Sequence, residues 1–466
     1  MLKKCLVILF AVSLVFSVSL AYAAKVTIRF DPWAYRPGVP PRNLKMMNVI
    51  VEEYEKLHPD VKIELVGTGA YGGQDYFTWI QTRLLTKDAP EVFWLNFDQG
   101  WELYNRGWFT DWTPYLGKPN PYVPGNKRWA DIFYPYTFKE VRAPDGKIYD
   151  IAADAVGTTI VYNKDIFKRV GVGVPTTWGK FMDTLAKIKA SGIIPFGNTT
   201  FASCCPGYHW VIQRIQGGLI PKDLVQQLDI DKNGRVDMRE LSKAVVEGVF
   251  RADLPFFKES WRLMKEFSKF WPPGFTGQLD LRQLFLTEKI AMYHAGSWDI
   301  PVIRDDPNRK FAWGTMYYPV ITKQDSPLGQ NKLIIEFGMW GGLQWYIPSY
   351  LPKEIKDIAA DFCMYVSAPQ NLERLILEYG GDIPNVKGVK APEGLETIRN
   401  PKGVTDPLHG MVLFTSEFMD RYNREANNFI TDKIPFDEFI SRMQKLFEDT
   451  AKALIRDHPE WGIKLQ

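Results

Sequence analysis

Apolar residues along this chain follow two alternating periods. Residues 26–30 alternate as a strand does, whereas the apolar positions between 47 and 57 recur as one face of a helix that Pro59 ends. The same alternation continues with predicted strands at 61–66, 91–96 and 158–162, and with predicted helices at 76–85, 100–107, 176–192 and from 164 onward. Alternating strands and helices predict a parallel sheet covered by helices, which is an α/β fold.

The length of the chain divides this pattern into more than one unit. A chain of 466 residues exceeds the usual size of a single core, and its strand–helix units fall into two blocks that are each large enough for a sheet. A hydrophobic content of 45% is ample for two cores and excludes wholesale disorder.

The first 24 residues have the pattern of an export signal. Lys3 and Lys4 precede an apolar run over 6–20, and the small residues around Tyr22 form a cleavage site. We therefore expect a cleaved signal peptide at 1–24 and a periplasmic or secreted product; an uncleaved membrane anchor is the alternative. Cys5 precedes the apolar run, where a lipoprotein cysteine would not lie.

Charge and cysteine usage limit the possible partners. The formal net charge is +3, so no broad basic field favours nucleic acid, and three cysteines beyond the leader do not make a disulfide framework. Cys363 lies in a helical pattern and is expected to be a buried thiol. Cys204 and Cys205 are adjacent and form either a strained vicinal disulfide or two free thiols. With 16 tryptophans, the chain also has aromatic rings to spare for a flat ligand.

Several segments resemble bacterial extracellular solute-binding protein family 1, the sugar-binding components of ABC importers. They run in the family's order along nearly the whole chain: "VEEYEKLHPDVKIELV", "APEVFWL", "ELYNRGWFTDWTPYL", "GKIYDIAADAVGTTIVYNKDIFKRVGVGVPTTWGKFMDTLAKIKASGIIPF", "FLTEKIAMYHAGSWDIPVI" and "AADFCMYVSAPQNLERLILEYGGDIPNV". The resemblance implies a type II-like periplasmic binding protein fold, in which three crossings join two α/β lobes around a ligand cleft.

The predicted lobes are discontinuous in sequence. Crossings near 156–162, 336–346 and 384–404 would give a first lobe of 25–157 plus 342–395 and a second of 158–341 plus 396–466. The resemblance also implies the partners: a sugar in the cleft and the membrane permease subunits of an importer, with the binding protein itself a monomer.

Ligands of such sheets lie beyond the carboxyl ends of strands, so polar and aromatic residues at those points are site candidates. An indole packs on the apolar face of a sugar ring, while acids, amides and arginine bond its hydroxyls. Trp298 matches the aromatic residue that contacts sugar in the family. The alternative is a core position for Trp101 and Trp340, and a capping role for Asp98 and Asp154. The predicted ligand-binding residues are Trp33, Tyr35, Arg36, Asn96, Asp98, Gln99, Trp101, Asp154, Asn198, Tyr208, His209, Trp210, Trp298, Asp299, Trp340, Gly341 and Asp382.

The segment "DIDKNGRVDMRE" has the spacing of an EF-hand calcium loop. Oxygen ligands at its positions one, three, five, nine and twelve can surround one hard cation, position six is a glycine, and position seven offers a carbonyl. A solvated acidic turn is the alternative. Because the sequence has only one such loop, we expect a structural Ca²⁺ rather than a sensor. The predicted ligands are Asp229, Asp231, Asn233, Arg235 through its carbonyl, Asp237 and Glu240.

The expected function is therefore a non-enzymatic one. The protein would bind a mono- or oligosaccharide, a polyol, or, if Arg36 reaches the cleft, a uronate. The alternative is a secreted, calcium-stabilised carbohydrate-active enzyme or lectin. A glycoside hydrolase needs two carboxylates across the bond, and nothing marks Asp98 and Asp154 as that pair. The five histidines are scattered without metal-ligand spacing.

Overall fold

The computed structural model describes residues 26–32, 45–67, 73–199, 201–202, 208–232, 234, 236–395, 398, 404–405, 408 and 415–465. The predicted leader and the Cys204–Cys205 pair lie outside these residues. Within them, no helix combines the length and the apolarity needed to cross a bilayer.

Helices contain more of the described residues than strands do. They are α1 (Lys45–Leu57), α2 (Gly73–Leu85), α3 (Phe97–Leu103), α4 (Thr113–Leu116), α5 (Pro135–Glu140), α6 (Lys164–Val170), α7 (Trp178–Ala190), α8 (Tyr208–Leu219), α9 (Lys222–Leu228), α10 (Met238–Val246), α11 (Pro255–Ser268), α12 (Leu281–Leu286), α13 (Ile300–Asp305), α14 (Lys353–Val366), α15 (Pro369–Tyr379), α16 (Ser416–Ile430) and α17 (Phe436–Asp457).

The strands are shorter, with one exception of ten residues. They are β1 (Val26–Phe30), β2 (Val61–Leu65), β3 (Ile151–Ala152), β4 (Asp154–Asn163), β5 (Ile194–Gly197), β6 (Phe201–Ala202), β7 (Gln278–Leu279), β8 (Ile290–Gly296), β9 (Trp313–Met316), β10 (Ile334–Gly338), β11 (Gln344–Trp345), β12 (Ile383–Pro384) and β13 (Val404–Thr405).

The first part of the chain is organised around a parallel pair. β1 and β2 are parallel, with Ile28 opposite Ile63. The strand predicted at 91–96 is reduced to two isolated bridges, Phe30 with Val92 and Phe93 with Tyr346. It is short because α3 begins at Phe97, directly after this apolar stretch.

β4 is the central strand of the largest sheet, whose order is β13-β10-β4-β8-β5. Its first half pairs with β12 and β10, and its second half pairs with β8 and β9. All four of these pairings are antiparallel, so the sheet is mixed rather than parallel as predicted. The α/β class is correct, and β5–β8 and β10–β13 are parallel pairs.

The predicted crossings coincide with this strand and its neighbours. The first, near 156–162, lies within β4, the second overlaps β10 and β11, and the third begins at β12. Since β10 and β12 both lie against the first half of β4, the three segments are adjacent in space. The lobe boundaries themselves remain predictions.

Large aromatic side chains fill the interior. Trp112, Trp129, Trp261 and Trp345 are fully buried. Cys363 is a buried free thiol, as predicted, and burial raises the pKa of that thiol well above its usual value.

The carboxyl-terminal helix and the residues after it pack on earlier parts of the chain. α17 packs against α10 and α16. Beyond α17, the rings of His458 and Trp461 stack at 4.4 Å, and the His458 ring stacks on Tyr104 at 5.7 Å. Trp461 Nε1 donates to the Tyr104 hydroxyl at 2.9 Å. This stack joins the end of α17 to the short 3-10 helix Tyr104–Arg106, which follows α3.

Candidate functional site

Five aromatic rings form a continuous series through the predicted site. Within α3, Phe97 and Trp101 meet edge to face at 5.1 Å. Phe97 contacts Trp340 at 5.4 Å, Trp340 contacts Trp210 at 6.1 Å, and Trp210 meets Trp298 edge to face at 6.1 Å. The structure thus brings together four predicted tryptophans that are remote in sequence.

The series runs between the two predicted lobes. Trp101 lies in the predicted first lobe, Trp210 and Trp298 lie in the predicted second lobe, and Trp340 lies at the second crossing. Trp298 and Trp340 directly follow the carboxyl ends of β8 and β10, and Trp210 lies in the first turn of α8. Trp101 is nearly buried, whereas the other three tryptophans are partly exposed. Phe97 was missed by the sequence analysis, although its spacing of four from Trp101 on a helix is a usable signal.

Several buried polar atoms, on the segments that carry the rings and at the end of β5, have no partner among the described residues. Among the residues that the structure describes, none donates to or accepts from these side-chain atoms: Asn96 Oδ1, Gln99 Oε1, Trp101 Nε1, Asn198 Nδ2 and Ser297 Oγ. Buried polar groups in proteins nearly always have a partner. The set contains acceptors, donors and a hydroxyl, so it fits a ligand that both donates and accepts hydrogen bonds.

Asp154 secures the turn between β10 and β11. Its side chain is fully buried and accepts from the backbone amides of Gly342 at 2.9 Å and Leu343 at 3.0 Å. A methyl group on Gly341 would lie 2.1 Å from Asp154 Oδ1, so only glycine allows this close approach. Burial raises the pKa of Asp154, which also hydrogen-bonds the side chain of Asp382.

Asp299 supports the turn that carries Trp298. Its carboxylate is fully buried, accepts from the Gly296 amide at 3.1 Å and lies 3.3 Å from the Arg282 guanidinium. Burial raises the pKa of Asp299 to about 7. With these partners, Asp299 is engaged in holding the turn, and its contacts place Trp298 rather than reach into the ring series.

Some predicted site residues are not placed. Trp33, Tyr35 and Arg36 lie outside the described residues, and only the backbone is described for Asp98, Tyr208 and His209. These assignments, and the effect of Arg36 on ligand charge, stay predictions.

The predicted calcium loop joins α9 to α10. Carboxylate oxygens of Asp229, Asp231 and Glu240 lie within 4.8 Å of one another, and Gly234 has φ +89°. Glu240 is fully buried and accepts from the amides of Ile230 and Asp231 at 2.7 and 3.0 Å, which draws the beginning of the loop onto its end.

Of the other predicted ligands, Asp237 caps the helix that follows the loop. Its side chain accepts from the Glu240 amide at 2.7 Å at the beginning of α10. Asn233 and Arg235 lie outside the described residues. Three converging carboxylates after a short helix are a donor set that fits a hard cation such as Ca²⁺.

Sequence comparison shows relatives among sugar-binding proteins. The chain is 24% identical over 277 residues to the multiple sugar-binding protein of Streptococcus mutans, which covers 58% of each chain. It is 25% identical over 146 residues to the melibiose/raffinose/stachyose-binding protein MelE of Bacillus subtilis, covering 31% of this chain and 30% of that one. The matches thus span well under two thirds of either relative's length.

Solved structures of binding proteins share the fold over their whole length. The complex of the solute-binding protein RafE with raffinose matches with a TM-score of 0.64 and 21% identity, covering 91% of this chain and 100% of that one. A chitin oligosaccharide binding protein matches with a TM-score of 0.67 and 15% identity, covering 92% and 99%. The predicted two-lobed α/β fold is therefore confirmed.

A family match covers most of the chain. Residues 49–402 match the family described as "Bacterial extracellular solute-binding protein". The match spans both predicted lobes and every described member of the ring series. This chain therefore belongs to the bacterial extracellular solute-binding proteins.

Proposed function

We propose that this protein binds a carbohydrate between its two lobes and delivers it to the permease subunits of an ABC importer. The observation that carries the proposal is the series of rings from Trp101 to Trp298, flanked by buried polar atoms without partners. The sugar names of its relatives and structural neighbours support the same ligand class.

The chemistry of the site suits a sugar. Indole faces pack against the apolar C–H faces of pyranose rings. The partnerless atoms then bond the hydroxyls, with Gln99 Oε1 and Asn96 Oδ1 accepting and Asn198 Nδ2 and Trp101 Nε1 donating. A site built in this way rejects analogues that lack a hydroxyl, because its own buried groups would stay unpaired.

Binding would be coupled to closure of the lobes. A ligand that touches α3 on one side and α8 and the β8 turn on the other stabilises the conformation in which both sides meet it. The bend would fall in β4, β10 and β12, which lie side by side between the lobes. The closed monomer would then dock on the permease, outside the cytoplasmic membrane, after removal of the signal peptide at 1–24.

Thermal melting against a ligand panel tests the proposal. The panel contains raffinose, melibiose, maltose, chitobiose, a polyol and a uronate, with spermidine and a tripeptide as ligands of other classes. A sugar at about 100 times its Kd stabilises the folded state by about 2.7 kcal/mol and raises Tm accordingly. A rise only with spermidine or the tripeptide would reject the carbohydrate assignment, and chromatography that finds the bound sugar cleaved would favour the enzyme alternative.

We further propose that the loop between α9 and α10 holds one structural Ca²⁺. Asp229, Asp231 and Glu240 supply the carboxylates that already converge, and Asn233, the carbonyl of Arg235 and Asp237 complete the predicted set. The ion would neutralise these acids and fasten the long connection that precedes α10. Its effect is expected on stability rather than on sugar affinity.

A further inference from the structure

Two tryptophans of the ring series occur in the same local arrangement. Each strand that delivers a ring ends in glycine, and the tryptophan follows two residues later: Gly296 with Trp298 after β8, and Gly338 with Trp340 after β10. The two glycine–x–tryptophan turns lie on strands that flank β4 on its two sides.

Each indole folds back over its own glycine. A methyl group added at Gly296 would lie 2.2, 2.3 and 2.5 Å from three ring carbons of Trp298. A methyl group at Gly338 would lie 2.0, 2.5 and 2.7 Å from three ring carbons of Trp340. The ring therefore occupies the space of the missing side chain, and any residue with a Cβ displaces it.

The backbone does not require glycine at either position. Gly296 has φ −83° and ψ 161°, which any residue adopts, and neither glycine is among those with positive φ. The nearest atoms that an added Cβ would meet all belong to the tryptophan ring. The absence of a side chain at each glycine thus leaves the space that the indole ring fills.

The register of the sheet fixes where the two rings lie. Gly338 is opposite Val156, and Gly296 is opposite Thr158 on the other side of β4. Positions two apart on a strand face the same side, so both rings cover one face of the sheet. The two glycines are about 12 Å apart, since two strand spacings of ~4.8 Å combine with an offset of two residues at ~3.4 Å each.

Trp210 lies between the two seated rings, with its ring centre 6.1 Å from each of theirs. Both distances fall within the range of about 4.5–7 Å that packed aromatic rings adopt, so the three indoles form one continuous group. A shift of either seated ring would disturb its contact with Trp210.

We propose that Gly296 and Gly338 are positioning residues, which seat the indoles of Trp298 and Trp340 in the orientation that sugar binding needs. The proposal rests on the proposed function for the nature of the ligand, while the seating of the rings can be tested without any ligand.

The variants G296A and G338A test the seating in the ligand-free protein. Near-ultraviolet circular dichroism reports the packing of neighbouring indoles, and each variant is expected to change that spectrum. G173A is the matched control, because an added methyl group there meets no atom within 4 Å. Spectra of G296A and G338A that match the wild type would overturn the seating.

Double variants separate ring seating from a general effect of the substitution. G296A is expected to lower Tm in the wild-type background. It should have no cost in the W298A background, because the indole that the added methyl group would meet is gone. G338A should behave in the same way with W340A. If G296A fails to fold, G296A/W298A is expected to fold as W298A does. An equal cost of the alanine in both backgrounds would assign the glycines to the backbone and reject the proposal.

Calorimetry with raffinose, maltose, chitobiose, galactose, glucose and N-acetylglucosamine tests whether the seated rings serve binding. Each glycine variant is expected to lose at least tenfold in affinity for the sugar that the wild type binds, while G173A binds as the wild type does. Glycine variants that bind this sugar with wild-type affinity would reject the positioning role. If none of these sugars binds the wild type, the proposed function is wrong, while the spectra and the double variants still decide the seating.

Discussion

At the scale of single residues, the site combines satisfied and unsatisfied polar groups. Asp154 and Asp299 have backbone or arginine partners, whereas Gln99 and Asn198 each have a buried atom without a partner among the described residues. A buried polar group without a partner costs about 1–3 kcal/mol. Where such an atom lies on a segment that carries the ring series, as in Gln99 on α3, we expect a ligand to satisfy it.

Replacing Gln99 with methionine should therefore separate binding from stability. Q99M removes a buried acceptor that has no partner in the described part of the chain, so Tm should stay equal or rise while sugar affinity falls about tenfold. Gln444 is the control, because its side chain accepts from the Ala252 amide and donates to Glu448. Q444M should lower Tm and leave affinity unchanged; a Q99M protein that melts early and binds normally would contradict the assignment.

Asp299 should make stability depend on pH. Its pKa is raised to about 7, so the folded state holds a proton that the unfolded state has already lost. The resulting stability is complete below the ordinary carboxyl pKa and is lost as pH rises through about 7. D299N removes the titration, so its advantage over the wild type should grow by on the order of 2 kcal/mol between pH 5 and pH 8. A pH-independent difference in urea unfolding would disprove this.

The sequence located the tryptophans of the ring series better than it located the partners of the acids. A tryptophan just after a strand lies at the carboxyl edge of the sheet wherever the neighbouring strands lie, so the positions of Trp298 and Trp340 could be foreseen, while their contact with a ligand stays a prediction. Whether a carboxylate such as Asp299 turns toward a ligand or toward an amide depends on its packing against Arg282, 17 residues away in sequence, and no local pattern records that contact.

At the scale of elements, α8 is tied to a crossing strand by an ion pair. Arg214 lies one turn after Trp210, pairs with Glu336 on β10 and donates to the Ile335 carbonyl at 3.1 Å. Both charged side chains are 2% exposed. Glu336 also accepts from Thr158 on β4 at 2.7 Å, so the helix that carries a ring of the site is fixed to two strands.

Breaking this pair should be costly. R214M leaves Glu336 buried without its cation and is expected to destabilise the protein by about 3–5 kcal/mol. The double variant R214M/E336L removes both charges and should recover much of that loss. R262M is the control, because Arg262 is half exposed and each of its ion pairs, with Glu259 and with Glu266, is worth about 1 kcal/mol or less. Equal losses for R214M and R262M in chemical unfolding would refute the buried role.

The loop between α9 and α10 predicts a response to chelation. EDTA should lower Tm of the wild type and leave sugar affinity nearly unchanged, and added Ca²⁺ should restore the melting temperature. E240Q should melt lower and respond little to EDTA. E247Q is the control, because Glu247 is exposed and directly follows α10. This variant should respond to EDTA as the wild type does. A melting temperature indifferent to EDTA would exclude a structural ion.

Periodic helices were predictable, and the strands less so. The helices at 45–57 and 178–190 match their predictions closely because an apolar face every 3.6 residues is a strong local signal. β4 was foreseen over only part of its ten residues, and β12 is two residues long. Their extents are set by partners far away in the chain, which no window of sequence contains.

At the scale of the whole molecule, the ring series and the aromatic stack after α17 are two separate connections between the predicted lobes. The first lies in the cleft, and the second joins Tyr104 to His458 and Trp461. Asn105 adds a hydrogen bond to the Asp457 carbonyl at 3.2 Å. The relative position of the lobes is thus restrained at both places.

Removing the ring at 461 should loosen both sides of this connection. W461A loses a stacked pair and the hydrogen bond to Tyr104, and is expected to cost about 1–2 kcal/mol. Hydrogen exchange should rise both in α3 with the turn that follows it and in the last turns of α17. W313F, on β9 at the far end of β4, is the control. Faster exchange confined to α17 would show that the stack does not join the two parts.

The stack also constrains how the protein can be made. Tyr104 and Glu460 are hydrogen-bonded across 356 positions of sequence, and the strands that pair with β4 come from later segments of the chain. A nascent chain leaving the ribosome cannot complete its amino-terminal half before nearly all of it has been translated. Such long-range topology folds slowly. Late folding of this kind keeps a polypeptide threadable, which is the state that a translocation channel requires.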